Sequence, residues 1–137
     1  MSYETTIEVR FCDLDGLGHI NNAHYLSYIE LARTRFYEAL GLGEPFQNGD
    51  PIALILARSE IDYLKQAKLT DRLRCEVWLE KIGNKSFVQG YELTHRSDPR
   101  EVYAQAKAVL VWFDYKKNSS CPIPKAVRAK LEPHLRS

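Results

Sequence analysis

The sequence predicts an α+β domain in which a curved antiparallel sheet packs around one long helix. Apolar residues recur at three- and four-residue spacing between about residues 23 and 40, which is the spacing of one helix face. On either side of this stretch apolar and polar residues alternate, as they do in half-buried strands. One hydrophobic helix and one run of strands bury their apolar surfaces against each other as a two-layer domain.

The elements at the start of the chain have separate signals. Residues 3–12 are predicted as a strand, because β-branched and aromatic residues occupy alternate positions: Thr5, Ile7, Val9 and Phe11. A polar, glycine-containing loop follows. Asn21 and Asn22 stand where a helix N-cap is expected, and Gly41 and Gly43 follow the helix as stop signals.

Four more strands are predicted after Pro51, at residues 52–66, 72–80, 85–96 and 101–115. The last contains AVLVWF at 108–113, which is apolar throughout and therefore predicts a strand covered on both faces. A short helix over 125–135, interrupted near Pro133, ends the pattern. The strand–helix–four-strand order is that of the hotdog fold, and it predicts one domain over residues 1–137.

Bulk properties restrict the classes of function. The formal net charge of +1 gives no strong field for nucleic acid or a membrane surface. The three cysteines, Cys12, Cys75 and Cys121, are far apart and lack metal-ligand spacing, so free thiols in a reducing compartment are expected. Neither a signal peptide nor an 18-residue apolar run is visible. The sequence therefore predicts a soluble, cytoplasmic protein without a metal or other cofactor.

Residues 10–35 hold the densest group of polar residues suited to chemistry. Two Asp, two His and two Asn lie in the loop before the helix or in the first turns of the helix. The beginning of a helix presents backbone N–H groups without intrahelical partners and a partial positive charge. Such groups stabilise an oxyanion, and a nearby carboxylate can attack a carbonyl or activate water. A thioester suits this arrangement because its thiolate leaves readily.

The same segment resembles the signature of the 4-hydroxybenzoyl-CoA thioesterase-like hotdog family of acyl-CoA thioesterases. The motif D-x-D-x-x-G-H-x-N-N-x-x-Y matches residues 13–25, and E-x-A-R matches residues 30–33. GNKSF at 83–87 and VLVWFDYKKNSSCPIP at 109–124 resemble the family more weakly. Gln66 departs from it, because relatives often carry proline there.

The resemblance implies hydrolysis of acyl-CoA to a free acid and CoA, with Asp15 as the catalytic carboxylate. It implies that the backbone N–H of Asn22 binds the thioester oxygen and that His19 lines the site. Lys85 and Ser86 match a segment that contacts the CoA phosphates, from a different subunit of a homodimer or of a homotetramer built from two dimers. Tyr25 is the motif's tyrosine and a candidate for substrate binding, with a place in the core as the alternative.

Other interpretations stay open at this point. Asp15 can simply form a turn with Gly16, and His19 can be structural. Asp13 is expected to bond loop N–H groups rather than take part in chemistry. Glu30 and Arg33 have the spacing of an exposed helix pair. A hotdog hydratase or dehydratase and a non-catalytic acyl-CoA-binding module are the rival functions, and the sequence does not define the acyl group.

Overall fold

The computed structural model describes residues 2–42 and 52–136, so the expectation for Gly43 lies outside the described residues. The chain order is β1 (Tyr3–Ile7), a 3-10 turn (Phe11–Asp13), α1 (Asn22–Ala39), β2 (Ile52–Tyr63), β3 (Leu73–Ile82), β4 (Ser86–His95), β5 (Asp98–Asp114), β6 (Ser119–Ser120), α2 (Lys125–Leu131) and a second 3-10 turn (Glu132–His134). The predicted α+β class and the order of its main elements are confirmed.

The sheet is antiparallel, with strand order β1-β3-β4-β5-β2 and β6 paired with β5. Its curvature has identifiable causes, because the pairing shifts register between Leu56 and Arg58 in β2 and between Leu79 and Lys81 in β3. Such irregularities bend a strand and increase its twist. The pairing of β3 with β4 runs from Leu73 opposite His95 to Ile82 opposite Phe87.

Helix α1 begins at a capped end and buries one side. Asn21 is the N-cap, and its side-chain oxygen accepts a hydrogen bond from the Ala23 N–H at 3.0 Å, while Asn22 is the first helical residue. The buried residues follow the predicted spacing: Tyr25, Tyr28, Ile29, Ala32, Phe36 and Tyr37. Each large apolar side chain buried in this way stabilises the fold by about 1.5–3 kcal/mol.

Two expectations about the strands are wrong. The first strand ends at Ile7 rather than at residue 12, because the Asp13 N–H bonds the Arg10 carbonyl at 2.9 Å and closes a 3-10 turn. The apolar run in β5 is not covered on both faces within one chain. Val109 and Val111 are only half-buried, since α1 covers only the other face.

Other bulk expectations can be compared directly with the structure. All three cysteines are free thiols, of which Cys75 is buried. Burial raises the pKa of the Cys75 thiol to about 12, so this side chain acts as a small apolar group. Within residues 2–42 and 52–136, no helix has the length and apolar character needed to cross a membrane.

Candidate active site

The loop between the first 3-10 turn and α1 folds back on itself as a small hairpin. Leu14 pairs with Ile20, and the Asp15 N–H donates to the His19 carbonyl at 2.7 Å. Gly18, at φ +81°, occupies the left-handed conformation that this tight reversal needs. The hairpin directs the chain from Asp15 back towards the beginning of α1.

Asp15 lies on the exposed side of this hairpin. Its Oδ1 accepts two backbone hydrogen bonds, from the Leu17 N–H at 2.8 Å and the His19 N–H at 3.2 Å. Within the described residues no donor bonds its other oxygen, Oδ2. The carboxylate is therefore held in one orientation by one oxygen, while the second is free to act on a ligand.

The beginning of α1 supplies a complementary group. The Ala23 N–H is satisfied by the Asn21 side chain, and the His24 N–H by the Asn21 carbonyl at 2.9 Å. The Asn22 N–H has no acceptor in the described part of the chain. It carries the partial positive charge of the helix end. Because the helix fixes its direction, this N–H can donate a hydrogen bond to an oxyanion.

The neighbouring carboxylate, Asp13, has a different environment. It is fully buried and accepts bonds from the Arg10 guanidinium and from the Tyr28 hydroxyl, the latter at 2.6 Å. Burial by itself raises the pKa of Asp13, but the hydrogen bonds from Arg10 and Tyr28 outweigh burial and lower it to about 2. Asp13 is thus an ionised structural acceptor, as expected, but within the described residues its carboxylate accepts only one backbone N–H, that of Arg10, and its other partners are side chains.

His19 connects the hairpin to the segment after β2. Its backbone pairs with Lys68, and the next residue, Ile20, donates its N–H to the Ala67 carbonyl at 2.9 Å. The His19 ring is half-buried, and its Nδ1 is buried without a hydrogen-bond partner in the described residues. The His19 backbone therefore contacts Asp15, while its ring keeps one buried polar atom unused.

Tyr25 lies in the core. It is completely buried, its hydroxyl donates to the Lys65 carbonyl at 3.1 Å, and it accepts the Ala67 N–H at 2.9 Å. This placement favours the core interpretation over substrate binding, because both hydrogen-bonding roles of the phenol are filled. Sequence reasoning missed segment 65–68, although a tyrosine on a buried helix face signals that its hydroxyl needs a partner.

Lys85 and Ser86 lie far from Asp15 within one chain. The Gly83 N–H donates to the Ser86 carbonyl at 2.7 Å in the turn between β3 and β4. The Asp15 hairpin instead packs beside Lys68, before β3 begins. Because β3 has 10 residues, these two regions are separated by about 30 Å along the strand. One chain therefore does not bring the two groups together.

Metal-ligating side chains do not cluster in the described ranges, where no group of three or more His, Cys, Asp or Glu side chains is placed to hold a metal ion. The groups suited to chemistry in these ranges are a carboxylate with an unused oxygen and the unpaired amide at the start of a helix. The α+β fold with its curved antiparallel sheet and these groups fit the class predicted from the sequence, the thioesterases of the hotdog fold.

Comparison with known proteins agrees with that class. The model of the thioesterase-like superfamily matches residues 9–131. The chain is 30% identical over 131 residues to the long-chain acyl-CoA thioesterase FadM of Escherichia coli, covering 94% of this chain and 96% of that protein. The chain therefore belongs to the thioesterase-like superfamily and is a thioester hydrolase.

Two further similarities add detail. The 1,4-dihydroxy-2-naphthoyl-CoA hydrolase of Synechococcus elongatus is 26% identical over 132 residues, covering 95% of both chains. A Thermus thermophilus thioesterase, solved in complex with coenzyme A and Zn, superimposes with a TM-score of 0.79 at 34% identity and covers 95% of this chain and 92% of its own. The similarity thus extends over nearly the whole chain.

Proposed function

We propose that this protein hydrolyses acyl-CoA thioesters to a free carboxylic acid and CoA, with Asp15 and the Asn22 backbone N–H as the reacting and stabilising groups. The observation that carries this proposal is the state of the Asp15 carboxylate, which is exposed and tethered through Oδ1 alone. Relatives whose names specify acyl-CoA substrates support the choice of thioester.

Two chemical routes are compatible with this geometry. In the first, Asp15 Oδ2 attacks the thioester carbon, CoA leaves as the thiolate, and water hydrolyses the resulting mixed anhydride. In the second, Oδ2 takes a proton from a water molecule, which attacks the same carbon. In both, the negative charge that develops on the carbonyl oxygen is stabilised by the Asn22 N–H, and His19 orients water or substrate.

A single turnover in ¹⁸O-labelled water separates these routes. When the carboxylate attacks and water then opens the anhydride at the Asp15 carbonyl carbon, the acid leaves with an Asp15 oxygen and the label stays in Asp15, detectable by mass spectrometry of the peptide that contains it. General base catalysis places the label only in the released acid. An unlabelled acid together with an unlabelled Asp15 would contradict both routes, because each consumes one oxygen of water that must appear in one of the two.

We infer that the site is completed by a second copy of the chain. In this arrangement α1 would be the central helix that the sheet encloses, and the two copies would pair through β2, the longer of the two edge strands β1 and β2. Antiparallel pairing of two β2 strands across a twofold axis sets the Tyr63 end of one copy beside the Ile52 end of the other. Ser86 lies at the Ile52 end of the sheet, because it pairs with Val111 of β5, and Val111 in turn pairs with Ile55 of β2.

The turn that reaches the site in this way is basic. Lys85 is exposed, and Arg128 of α2 donates to the Gly83 carbonyl of the same turn at 2.6 Å. Lys85 and Ser86 would therefore contact the CoA phosphates of a thioester bound at Asp15 of the partner, in a homodimer or in a homotetramer of two dimers. We expect the enzyme to act in the cytoplasm, where free thiols such as these three persist.

Mixing two inactive variants tests this shared site. Asp15→Asn and Lys85→Glu each damage a different half of the site, so a mixed dimer regains one intact site. With full subunit exchange, activity should return to about a quarter of the parent value, because half the dimers are mixed and each has one good site. Mixing that restores no activity would place both residues in the same subunit's site or outside it.

Thiol release from aromatic, short-chain and long-chain acyl-CoAs tests the function itself. The proposal predicts stoichiometric free CoA from at least one class, with loss of the thioester absorbance. Exposed apolar side chains flank Asp15, with Phe11 at 80% and Leu17 at 81% exposure, so an apolar acyl group is expected. An enoyl product with an intact thioester would favour the hydratase or dehydratase, and tight binding without turnover would favour the binding module.

A further inference from the structure

Asp13 is the centre of a buried hydrogen-bond cluster that the proposed reaction does not use. Its carboxylate accepts the Arg10 backbone N–H at 3.1 Å, Arg10 Nε at 3.3 Å, Arg10 Nη2 at 2.9 Å and the Tyr28 hydroxyl at 2.6 Å. His24 Nδ1 lies 3.5 Å from the same carboxylate. Because the side chain has no solvent exposure, no ligand reaches it in this conformation.

These partners belong to two different parts of the chain. Arg10 lies in the segment that leaves β1, whereas His24 and Tyr28 lie in the first two turns of α1. The Asp13 carbonyl also accepts the N–H of Asn21, the N-cap residue, at 2.9 Å. The chain therefore leaves Asp13, forms the Asp15 hairpin and returns to bond Asp13 through Asn21. Asp13 is thus bonded to the N-cap residue at which α1 begins.

The two reacting groups of the proposed site both lie next to this cluster along the chain. Asp15 is two residues beyond Asp13, and Asn22 follows the N-cap that bonds to it. A carboxylate and an oxyanion donor must face one carbonyl group with ångström accuracy, since a displacement of about 1 Å can cost roughly 100-fold in rate. Because both Asp15 and Asn22 lie close to Asp13 along the chain, a fixed Asp13 can provide that accuracy for both.

We propose that Asp13 is a positioning residue, which holds the Asp15 hairpin and the beginning of α1 in register through Arg10 and Tyr28. This inference rests on the proposed function. It predicts that weakening the cluster lowers kcat much more than it raises KM, because the acyl-CoA is bound mainly through contacts elsewhere. A purely structural role would lower only the stability.

Tyr28 and Tyr37 provide a matched pair for the test. Both are buried phenols on α1 with hydrogen bonds of 2.6 Å to a fully buried acceptor, Asp13 Oδ2 for Tyr28 and Gln89 Oε1 for Tyr37. Replacement by phenylalanine removes one hydroxyl in each case. Only Tyr28 adjoins the hairpin, because Tyr37 lies 15 residues beyond Asn22, or about 22 Å along the helix.

The expected result is a kcat about 10- to 100-fold lower in Tyr28→Phe, with KM within about twofold of the parent. Asp13→Asn should show the same split if it folds, and Tyr37→Phe should keep the parent kcat. Equal kcat in Tyr28→Phe, Tyr37→Phe and the parent would overturn the proposal. So would a Tyr37→Phe variant that loses as much kcat as Tyr28→Phe.

Hydrogen exchange tests the same cluster without requiring activity. The Leu17 and His19 amides, which bond Asp15 Oδ1, should exchange faster in Tyr28→Phe than in the parent and be unaffected in Tyr37→Phe. Unchanged exchange in Tyr28→Phe would contradict the positioning role. A parent protein that hydrolyses no acyl-CoA would instead refute the proposed function, so the two failures are distinguishable.

Discussion

The two ends of α1 carry buried polar clusters that look alike by composition but differ in their surroundings. At the beginning of the helix, Tyr28 bonds the charged Asp13. Towards the end, Tyr37 and Tyr91 both donate to Gln89 Oε1, and Arg33 Nε donates to the Tyr91 hydroxyl at 2.9 Å.

Their neighbours distinguish the two clusters. Two residues beyond Asp13 the chain presents an exposed carboxylate with an unused oxygen, whereas Gln89 is sealed in the core. The Nε2 of Gln89 is buried without a partner within the described residues. A buried polar group is therefore not itself a sign of chemistry. In this protein we propose that the reactive group is the exposed carboxylate of Asp15, which the buried Asp13 cluster holds in place.

The largest expected difference between the two ends is in stability. Asp13→Ala removes a buried ionised acceptor and leaves Arg10 and the Tyr28 hydroxyl without it, so the free energy of unfolding should fall by about 3 kcal/mol. Gln89→Leu takes a neutral acceptor away from the Tyr37 and Tyr91 hydroxyls and should cost about 2 kcal/mol. Urea unfolding of both variants measures the difference, and a larger loss in Gln89→Leu would reverse the ranking.

The next largest effect is expected from acid, which should reduce the stability that the Asp13 cluster contributes at the beginning of α1. The pKa of Asp13 is about 2 in the folded protein against 3.8 as the ordinary value, so the folded state binds fewer protons than the unfolded state between these values. The stabilisation is complete above about pH 4 and is lost as pH falls to 2, by roughly 2 kcal/mol. Urea unfolding across this range should show a loss in the parent that is larger, by about this amount, than the loss in Asp13→Asn, because the pKa of Asp98 is also lowered and Asp98 titrates in both proteins.

The smallest expected effect is at the other end of the helix. The His134 ring packs edge-on to Phe36 with ring centroids 4.9 Å apart, and burial lowers the pKa of His134. The unfolded chain therefore binds a proton below about pH 6.5 that the folded protein resists, so stability declines as pH falls through that region. Melting temperatures at pH 7.5 and 5.5 should differ more in the parent than in His134→Gln.

Periodicity predicted α1 and the main strands well, because each buries one face along a regular repeat. It failed at residues 8–12, where alternating residues continue although the Arg10 and Asp13 contacts have already turned the chain. The Glu30–Arg33 helix pair is also wrong, since Arg33 turns to Tyr91 instead. Local spacing carries no information about a partner 58 residues away.

The candidate site could likewise be predicted only where its residues are close together in the sequence. Asp15, Asn22 and His19 were predicted from one contiguous motif, and the structure places them in one hairpin and the helix start that follows it. Asp13 and Tyr28 are 15 residues apart, and only folding shows that one carboxylate is buried while its neighbour two positions on is exposed. The distance between Asp15 and Lys85 similarly depends on sheet topology rather than on sequence.

The most direct measurement is the thiol-release rate of Asp15→Asn beside that of the parent. Because the Asp15 side chain is exposed, the substitution should leave the melting temperature nearly unchanged. The account predicts that kcat falls by about 1,000-fold or more, since the reacting oxygen is replaced by an amide that neither attacks nor accepts a proton. A folded Asp15→Asn protein that hydrolyses acyl-CoA at the parent rate would contradict it.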